Sequence, residues 1–272
     1  MRADERLPGL VPETASRMAL SVPGGPHGAL VLHGFTGDPG SMRGVAAAMA
    51  KAGFAVELPR LPGHGTVLSD LLPTRWDDWS AAVEAAYDEL AARVDAMVVV
   101  GLSMGATLAT WLAARRAGMA GLVCVNPIVE PAEPLRELVR ATIAGGQEVV
   151  AGIGSDIAQP GTAETGYDAM PLRPLLSLLD AVVALQSDLG AIACPMLLFT
   201  SATDHVVPPS NSDHLAASVG GPVERVRLAR SFHVATLDYD RVEIEARTVA
   251  FARSVTTTPA TTTPATTTPP HP

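Results

Sequence analysis

Short apolar runs recur along the chain, separated by stretches in which apolar positions return every three or four residues. Residues 29–33, 54–58, 97–101, 121–125 and 196–200 are brief, nearly continuous apolar runs. Runs of that length predict strands covered on both faces of a parallel sheet. Residues 18–22 and 224–228 add two further strands. Helical spacing predicts helices over 41–52, 76–94, 104–117, 211–218 and 240–254, with Gly118 placed to end the third. Alternating strands and helices define an α/β class with a doubly wound, mostly parallel sheet.

Two segments depart from this rhythm. Between Asn126 and Ala193 no strand is expected. Helices over 133–144 and 171–189 flank a Gly-rich stretch from Gly145 to Gly166. That is too long for an ordinary strand-to-helix connection, and it is expected to be an inserted helical cap over one edge of the sheet. From Val255 the chain reads VTTTPATTTPATTTPPHP, which offers no charge and little to bury, so a solvated tail is expected. The organisation is then a core over 1–125, a cap over 126–193, a second part of the core over 194–254 and a tail over 255–272.

Composition narrows the functions available. Of 272 residues, 47% are hydrophobic and 17% charged, enough to bury a sizeable core. A net charge of −9 excludes nucleic acid as the main partner, because phosphate binding needs clustered Lys and Arg. Lys51 is the only lysine, and no three basic residues run together. Cys124 and Cys194 are isolated thiols that suggest a reducing compartment and read as small buried hydrophobes. Residues 1–11 mix acids with bases and form no secretory signal, and no apolar stretch is long enough to span a bilayer. A cytoplasmic protein is expected, with transient contact with a lipid surface through the cap left open. No Cys, His and Asp cluster has metal-ligand spacing, so neither metal nor other cofactor is expected.

The candidate chemistry begins at Gly101-Leu102-Ser103-Met104-Gly105, a G-x-S-x-G pattern between an apolar strand and an Ala-rich helix. A serine on such a turn is exposed as a nucleophile, and the flanking glycines let strand and helix approach. The competing reading is a glycine-flanked turn with an idle serine. The Met104 N–H, at the helix start, is free to bind an oxyanion. The loop LHGFTGDPGS after an early strand supplies a second donor, assigned to Phe35. His33 ends a buried strand and is expected to fix that loop. A serine needs a base, and the base an orienting acid, in chain order serine, acid, histidine. Asp204, in TDHVVPP, and His233, in SFHVATLD, both follow predicted strands. His205 abuts the acid and His214 lies within a predicted helix, so both are weaker bases. His64 is expected to support its own loop, and His27 and His271 to lie in a turn and the tail. Asp180, Asp188 and Asp213 read as solvated helical residues.

HGFTG, PRLPGHG, GLSMG, TDHVVPP and SFHVATLD, in this order, resemble the α/β-hydrolase esterases, among them bacterial monoacylglycerol lipases and carboxylesterases. The resemblance covers roughly residues 15–254. It implies an α/β-hydrolase fold with a small helical cap, a triad of Ser103, Asp204 and His233, and Phe35 and Met104 as oxyanion donors. It also implies a cap acid that contacts the glycerol of the substrate, and the segment GIGSDI…AETGYDAMP points to Glu164. Against that stands a solvated glutamate on a Gly-rich loop. The implied activity is hydrolysis of small-molecule esters or lipids, monoacylglycerols first. A general carboxylesterase or thioesterase is the alternative, and a non-catalytic ligand-binding module a remote one. Dehalogenases and epoxide hydrolases of this fold carry Asp at the elbow. The helix over 171–189 is apolar nearly all round and needs two apolar neighbours. One is the body of the protein; the other is more of the same, an acyl chain, a lipid surface or a subunit.

Overall fold

The computed structural model describes residues 17–257. Its strands are β1 (Leu20–Val22), β2 (His27–Leu32), β3 (Ala55–Leu58), β4 (Ala96–Leu102), β5 (Gly121–Val125), β6 (Val149–Ala151), β7 (Ala169–Pro171), β8 (Met196–Ser201) and β9 (Val223–Leu228). Its helices are α1 (Arg43–Lys51), α2 (Leu68–Leu71), α3 (Trp76–Ala91), α4 (Met104–Arg115), α5 (Glu133–Ala144), α6 (Leu172–Leu185), α7 (Ser210–Ser218) and α8 (Arg241–Thr256). Seven strands form one sheet in the order β1-β3-β2-β4-β5-β8-β9. Only β1 runs antiparallel, pairing Leu20 with Leu58.

The apolar runs behave as two-sided strands should. Successive residues feed opposite cores because side chains alternate along a strand. Ala29, Val31, Val98, Val100, Val123 and Val125 pack on one side, with Val45 and Met49 of α1 and Ile244 and Ala252 of α8. Leu30, Leu32, Val99, Leu122 and Cys124 pack on the other, with Trp79 and Val83 of α3 and Leu108 and Leu112 of α4. Each such side chain stabilises the fold by roughly 1.5–3 kcal/mol on burial. The ends of β2, β4, β5 and β8 therefore stand on a platform covered on both faces.

Several expectations change. The stretch from Asn126 to Ala193 is not free of strands, for β6 and β7 form an antiparallel ribbon pairing Val150 with Met170. Three-residue strands are too short for a period-two pattern to register in sequence. The long helix begins at Leu172, because Pro171 belongs to the ribbon, and ends at Leu185. Asp188 follows it and pairs with Arg115 at 3.1 Å. Both neighbours of α6 are protein: Leu178, Val182 and Leu185 join the core of the body, while Leu172 and Leu179 pack with Val139 of α5. His27 opens β2 and does not lie in a turn. Cys124 is buried, whereas Cys194 is only partly so.

The C-terminal boundary also moves. Helix α8 continues through Val255 and Thr256, so the segment beyond Ser254 is not all tail. Val255 packs against the sheet cluster, its Cγ2 2.9 Å from where Gly121 would carry a Cβ. Thr256 is buried and its hydroxyl donates to the Ala252 carbonyl at 2.7 Å. The Thr/Pro repeat from residue 258, with His271, lies outside the described residues. Truncation after Ser254 is thus expected to cost about 1–2 kcal/mol and to lower the thermal midpoint by ~2–6 °C. Calorimetry beside truncation after Thr257 measures it, and equal midpoints for the two truncations would contradict the packing of Val255.

Candidate active site

Ser103 stands between β4 and α4 with φ 54° and ψ −120°, a region that side-chain-bearing residues rarely occupy. The turn is held there by its neighbours. The Ser103 N–H donates to the Val125 carbonyl at 2.9 Å, and its carbonyl accepts the Thr107 N–H at 3.0 Å. A Cβ on Gly101 would stand 2.3 Å from the Gly105 carbonyl group, and one on Gly105 would stand 2.3 Å from the Leu32 carbonyl oxygen. Only glycine permits these approaches. Met104 is fully buried at the first position of α4, where the backbone N–H lacks an intrahelical partner and sits in the positive end of the helix dipole.

The loop after β2 faces this turn. A Cβ at Gly34 would lie 3.5 Å from the Ser103 Cβ, so the two backbones meet beside the hydroxyl. Phe35 follows, its ring packed against Trp79 with centroids 5.5 Å apart and against His64 at 6.0 Å. Thr36 has φ 61°, and its hydroxyl donates to the Phe35 carbonyl at 2.6 Å. His33 and His64 hold this loop rather than serving the cavity. His33 Nε2 accepts the Leu61 N–H at 3.1 Å, and His64 Nδ1 bonds the Pro62 carbonyl at 2.9 Å. Burial pushes the His33 imidazole down to about 4 and that of His64 to about 3, the latter helped by its histidine neighbour. Both rings are neutral at physiological pH.

Asp204 and His233 follow β8 and β9, and the structure brings their side chains together. His233 Nδ1 lies 2.7 Å from Asp204 Oδ2, with the two side chains 7% and 2% exposed. Asp204 Oδ1 accepts the N–H groups of Val206 and Val207 at 2.9 and 2.8 Å. These bonds stabilise the ionised carboxylate. An ionised carboxylate accepts only, so Nδ1 carries the ring proton and Nε2 is left as the acceptor. The rival histidines point elsewhere: His205 bonds Asp156 at 2.7 Å and His214 bonds Gln186 at 2.6 Å. Asp180 and Asp213 remain exposed but pair with Arg136 and Arg225.

A cavity of about 390 Å³ is lined by Ser103, His233, Phe35 and Glu164, with Leu175 and Leu178 from α6. Helix α6 therefore also turns an apolar edge toward the site. Glu164 is not a solvated loop residue. Its carboxylate lies over Gly37, with Oε1 2.6 Å from where a Cβ would stand. Burial raises its pKa to about 7, against the pull of His233 and a hydrogen bond from Ser41 and with the push of Asp38. Among the described residues no group of His, Cys, Asp and Glu is arranged to hold a metal ion.

Sequence reasoning missed the residues that fix the His233 loop. Asn126, at φ 45° after β5, donates to the His233 carbonyl at 2.8 Å and to the Ser201 hydroxyl at 2.9 Å. Ser201 in turn donates to the Phe232 carbonyl at 2.8 Å. The Asp238 carboxylate accepts the N–H of Phe232 at 2.9 Å and that of Ala158 at 2.7 Å. An Asn after a strand hints at a left-handed backbone, but nothing local names its partners.

Residues 29–246 match the alpha/beta hydrolase family, and the chain belongs to it. Over 232 residues the chain is 43% identical to a thermostable monoacylglycerol lipase of Bacillus sp. (strain H-257), covering 84% of this chain and 90% of that one. It is 23% identical over 222 residues to a carboxylesterase of Bacillus subtilis (strain 168), covering 80% and 89%. A solved structure described with LipS and LipT, two metagenome-derived lipolytic enzymes, superposes with a TM-score of 0.85 at 36% identity, covering 88% of this chain and 98% of that one.

The raised pKa of Glu164 has a consequence for stability. A carboxyl that titrates near 7 when folded and near 4.5 when unfolded binds more protons in the folded state across that interval. Its stabilising contribution is complete below pH 4.5 and is lost as pH rises through about 7. Glu164→Gln is therefore expected to raise the thermal midpoint by a few degrees at about pH 8 and to leave it nearly unchanged at about pH 4.5. Paired thermal melts at the two pH values test this, and a shift of equal size at both would contradict the assignment.

Proposed function

We propose that the protein is a serine ester hydrolase that cleaves monoacylglycerols to glycerol and fatty acid. The observation that carries the reading is Ser103 on its strained turn opening onto the same apolar cavity as the hydrogen-bonded His233–Asp204 pair. Ser103 attacks the ester carbonyl while His233 Nε2 takes its proton. Asp204 holds the imidazole in the required tautomer and stabilises the imidazolium. The N–H groups of Phe35 and Met104 bind the oxyanion, the second reinforced by the dipole of α4. His233 returns the proton to the leaving glycerol oxygen, then activates a water that releases the fatty acid.

The excursion from Asn126 to Ala193 serves as the cap. Leu175 and Leu178 offer an apolar wall for the acyl chain, and Glu164 offers an acceptor for glycerol hydroxyls. The 43% identical relative named as a monoacylglycerol lipase supports that substrate. A general carboxylesterase is the second reading, favoured by the more distant relative of that name. Leu135 and Ile153, 41% and 59% exposed, both line the cavity and give it an apolar rim suited to contact with lipid aggregates. No helix among the described residues is long and apolar enough to cross a membrane.

Ser103→Ala is expected to lower kcat by ~10⁴-fold or more and to abolish stoichiometric labelling by a fluorophosphonate, with the thermal midpoint little changed. Stoichiometric labelling of the Ser103→Ala variant would overturn the assignment. Glu164→Ala tests the substrate. At about pH 8, above the Glu164 pKa of about 7, the carboxylate is charged; a charge-assisted hydrogen bond is worth about 1.5–3 kcal/mol, so kcat/KM for monoacylglycerols should fall by ~10-fold or more at that pH while p-nitrophenyl esters are spared. Equal losses on both substrates, or no loss on either, would favour the general carboxylesterase.

A further inference from the structure

Asp156 lies in the cap and takes no part in the steps above, yet it touches both loops that the chemistry uses. Its side chain is 11% exposed. Oδ2 accepts the His233 N–H at 3.0 Å and the His205 N–H at 3.1 Å. Oδ1 meets the ring Nδ1 of His205 at 2.7 Å. The backbone carbonyl of Asp156 accepts the Val234 N–H at 3.1 Å. One cap residue thus bonds the neighbour of Asp204, His233 itself and the residue after it. His205 is held in turn, its ring edge-on to Phe232 with centroids 4.6 Å apart.

The chemistry of this junction calls for a carboxylate. Two backbone N–H groups converge on one oxygen, and a ring nitrogen meets the other. Burial disfavours the charge, but the bonds from the His205 ring and from the two N–H groups outweigh it and hold the carboxyl below its ordinary range. The charge therefore persists at working pH. The ionisable groups around it are His205, Asp204 and His233 of the two loops, Glu164 across the cavity and Asp238 at the base of the same cap segment.

We propose that Asp156 is a positioning residue for the base: a clamp from the cap that sets the His233 loop against the Asp204 loop and places a second negative charge near the imidazolium. The inference rests on the reading of His233 as the base. A misplacement of about 1 Å in such a group costs on the order of 100-fold in rate, so a bond to the His233 backbone bears directly on kcat.

Asp156→Ala and Asp156→Asn separate geometry from charge. Asn keeps one oxygen for the two N–H groups, and its NH₂ donates to Nδ1 of neutral His205. Both variants are assayed on a p-nitrophenyl ester over about pH 5–9, beside thermal melts and fluorophosphonate titration of the competent fraction. Asp156→Ala is expected to lower kcat per titrated site by ~10- to 100-fold, with KM changed by less than ~3-fold. Asp156→Asn is expected to recover most of kcat and to move the acid limb of kcat/KM downward by roughly half a pH unit, because a charge that favours the imidazolium is gone. Should Asp156→Ala fail to fold, the acid limb of Asp156→Asn decides. An unmoved limb in Asp156→Asn, or kcat of Asp156→Ala within ~2-fold of the parent, overturns the clamp. His233→Ala, assayed alongside, separates the two failures: activity there overturns the base assignment, whereas inactivity there with unaffected Asp156 variants overturns the clamp alone.

Discussion

The close approach of β2, β4 and α4 around Gly101 and Gly105 is the contact on which the site depends. With no side chain at either position, the start of α4 rests on the strand ends, and the chain between must turn through a conformation that costs Ser103 about 1–3 kcal/mol. That strain persists because the surrounding bonds determine it from both sides: β5 accepts the Ser103 N–H, and α4 takes its carbonyl. The same approach brings the Gly34 backbone beside the Ser103 Cβ and leaves the Met104 N–H without a helical partner. The proposed nucleophile and oxyanion donors are thus placed by one backbone contact, whose cost is offset by the two apolar cores on either side of the sheet.

The His233 side of the site is held differently. His233 lies in a loop with little regular structure, and loops of that kind are fixed by polar bonds rather than by packing. Asn126, Ser201 and Asp238 supply those bonds, and all three are buried. Buried polar groups stabilise only when satisfied. Here the carbonyls of Phe232 and His233 and the N–H of Phe232 each find a partner. A partly satisfied set would leave groups that cost about 1–3 kcal/mol each, so the network favours one loop position over its neighbours.

The physics explains what could be read from the sequence. Strands buried on both faces write themselves as apolar runs, so β2, β3, β4, β5 and β8 emerge close to their true bounds; the edge strand β9 alternates in VERVRL and is read from that, and β1 is shorter than its pattern. The Ser103 turn is legible because its requirements are local: glycines two residues to either side, a strand before and a helix after. Asp204 and His233, the proposed acid and base, are legible as loop residues in the required order, and a 2.7 Å contact joins them. The β6–β7 ribbon is not legible, because three residues per strand carry no period. Asn126 is not legible either, because its role is a bond to a residue 107 positions away. The end of α8 is hidden for a third reason. Val255 begins a Thr/Pro repeat by composition, but it completes a helix by packing.

The excursion from Asn126 to Ala193 is fastened to the body more firmly than its Gly-rich sequence suggests, and the fastenings lie beside the candidate site. Thr165 donates to Asp38 at 2.8 Å, the Tyr167 N–H to the Thr36 carbonyl at 3.0 Å, and the Tyr167 hydroxyl to the Gly63 carbonyl at 2.7 Å. These bonds tie residues 165–167 to the loop that carries Phe35 and to the His64 loop that supports it. Ala158 and Gln159 donate to Asp238, which also holds Phe232. Residues 158–167 therefore bridge the loop that carries Phe35 and the loop that carries His233, and cannot shift without disturbing both. Ile153 and Leu138 lie outside this bonded region and are exposed apolar residues. Local opening follows the parts with few buried contacts. The segment bearing Glu164 is thus held against the loop that carries Phe35, while the exposed Ile153 edge of the cavity carries none of these bonds.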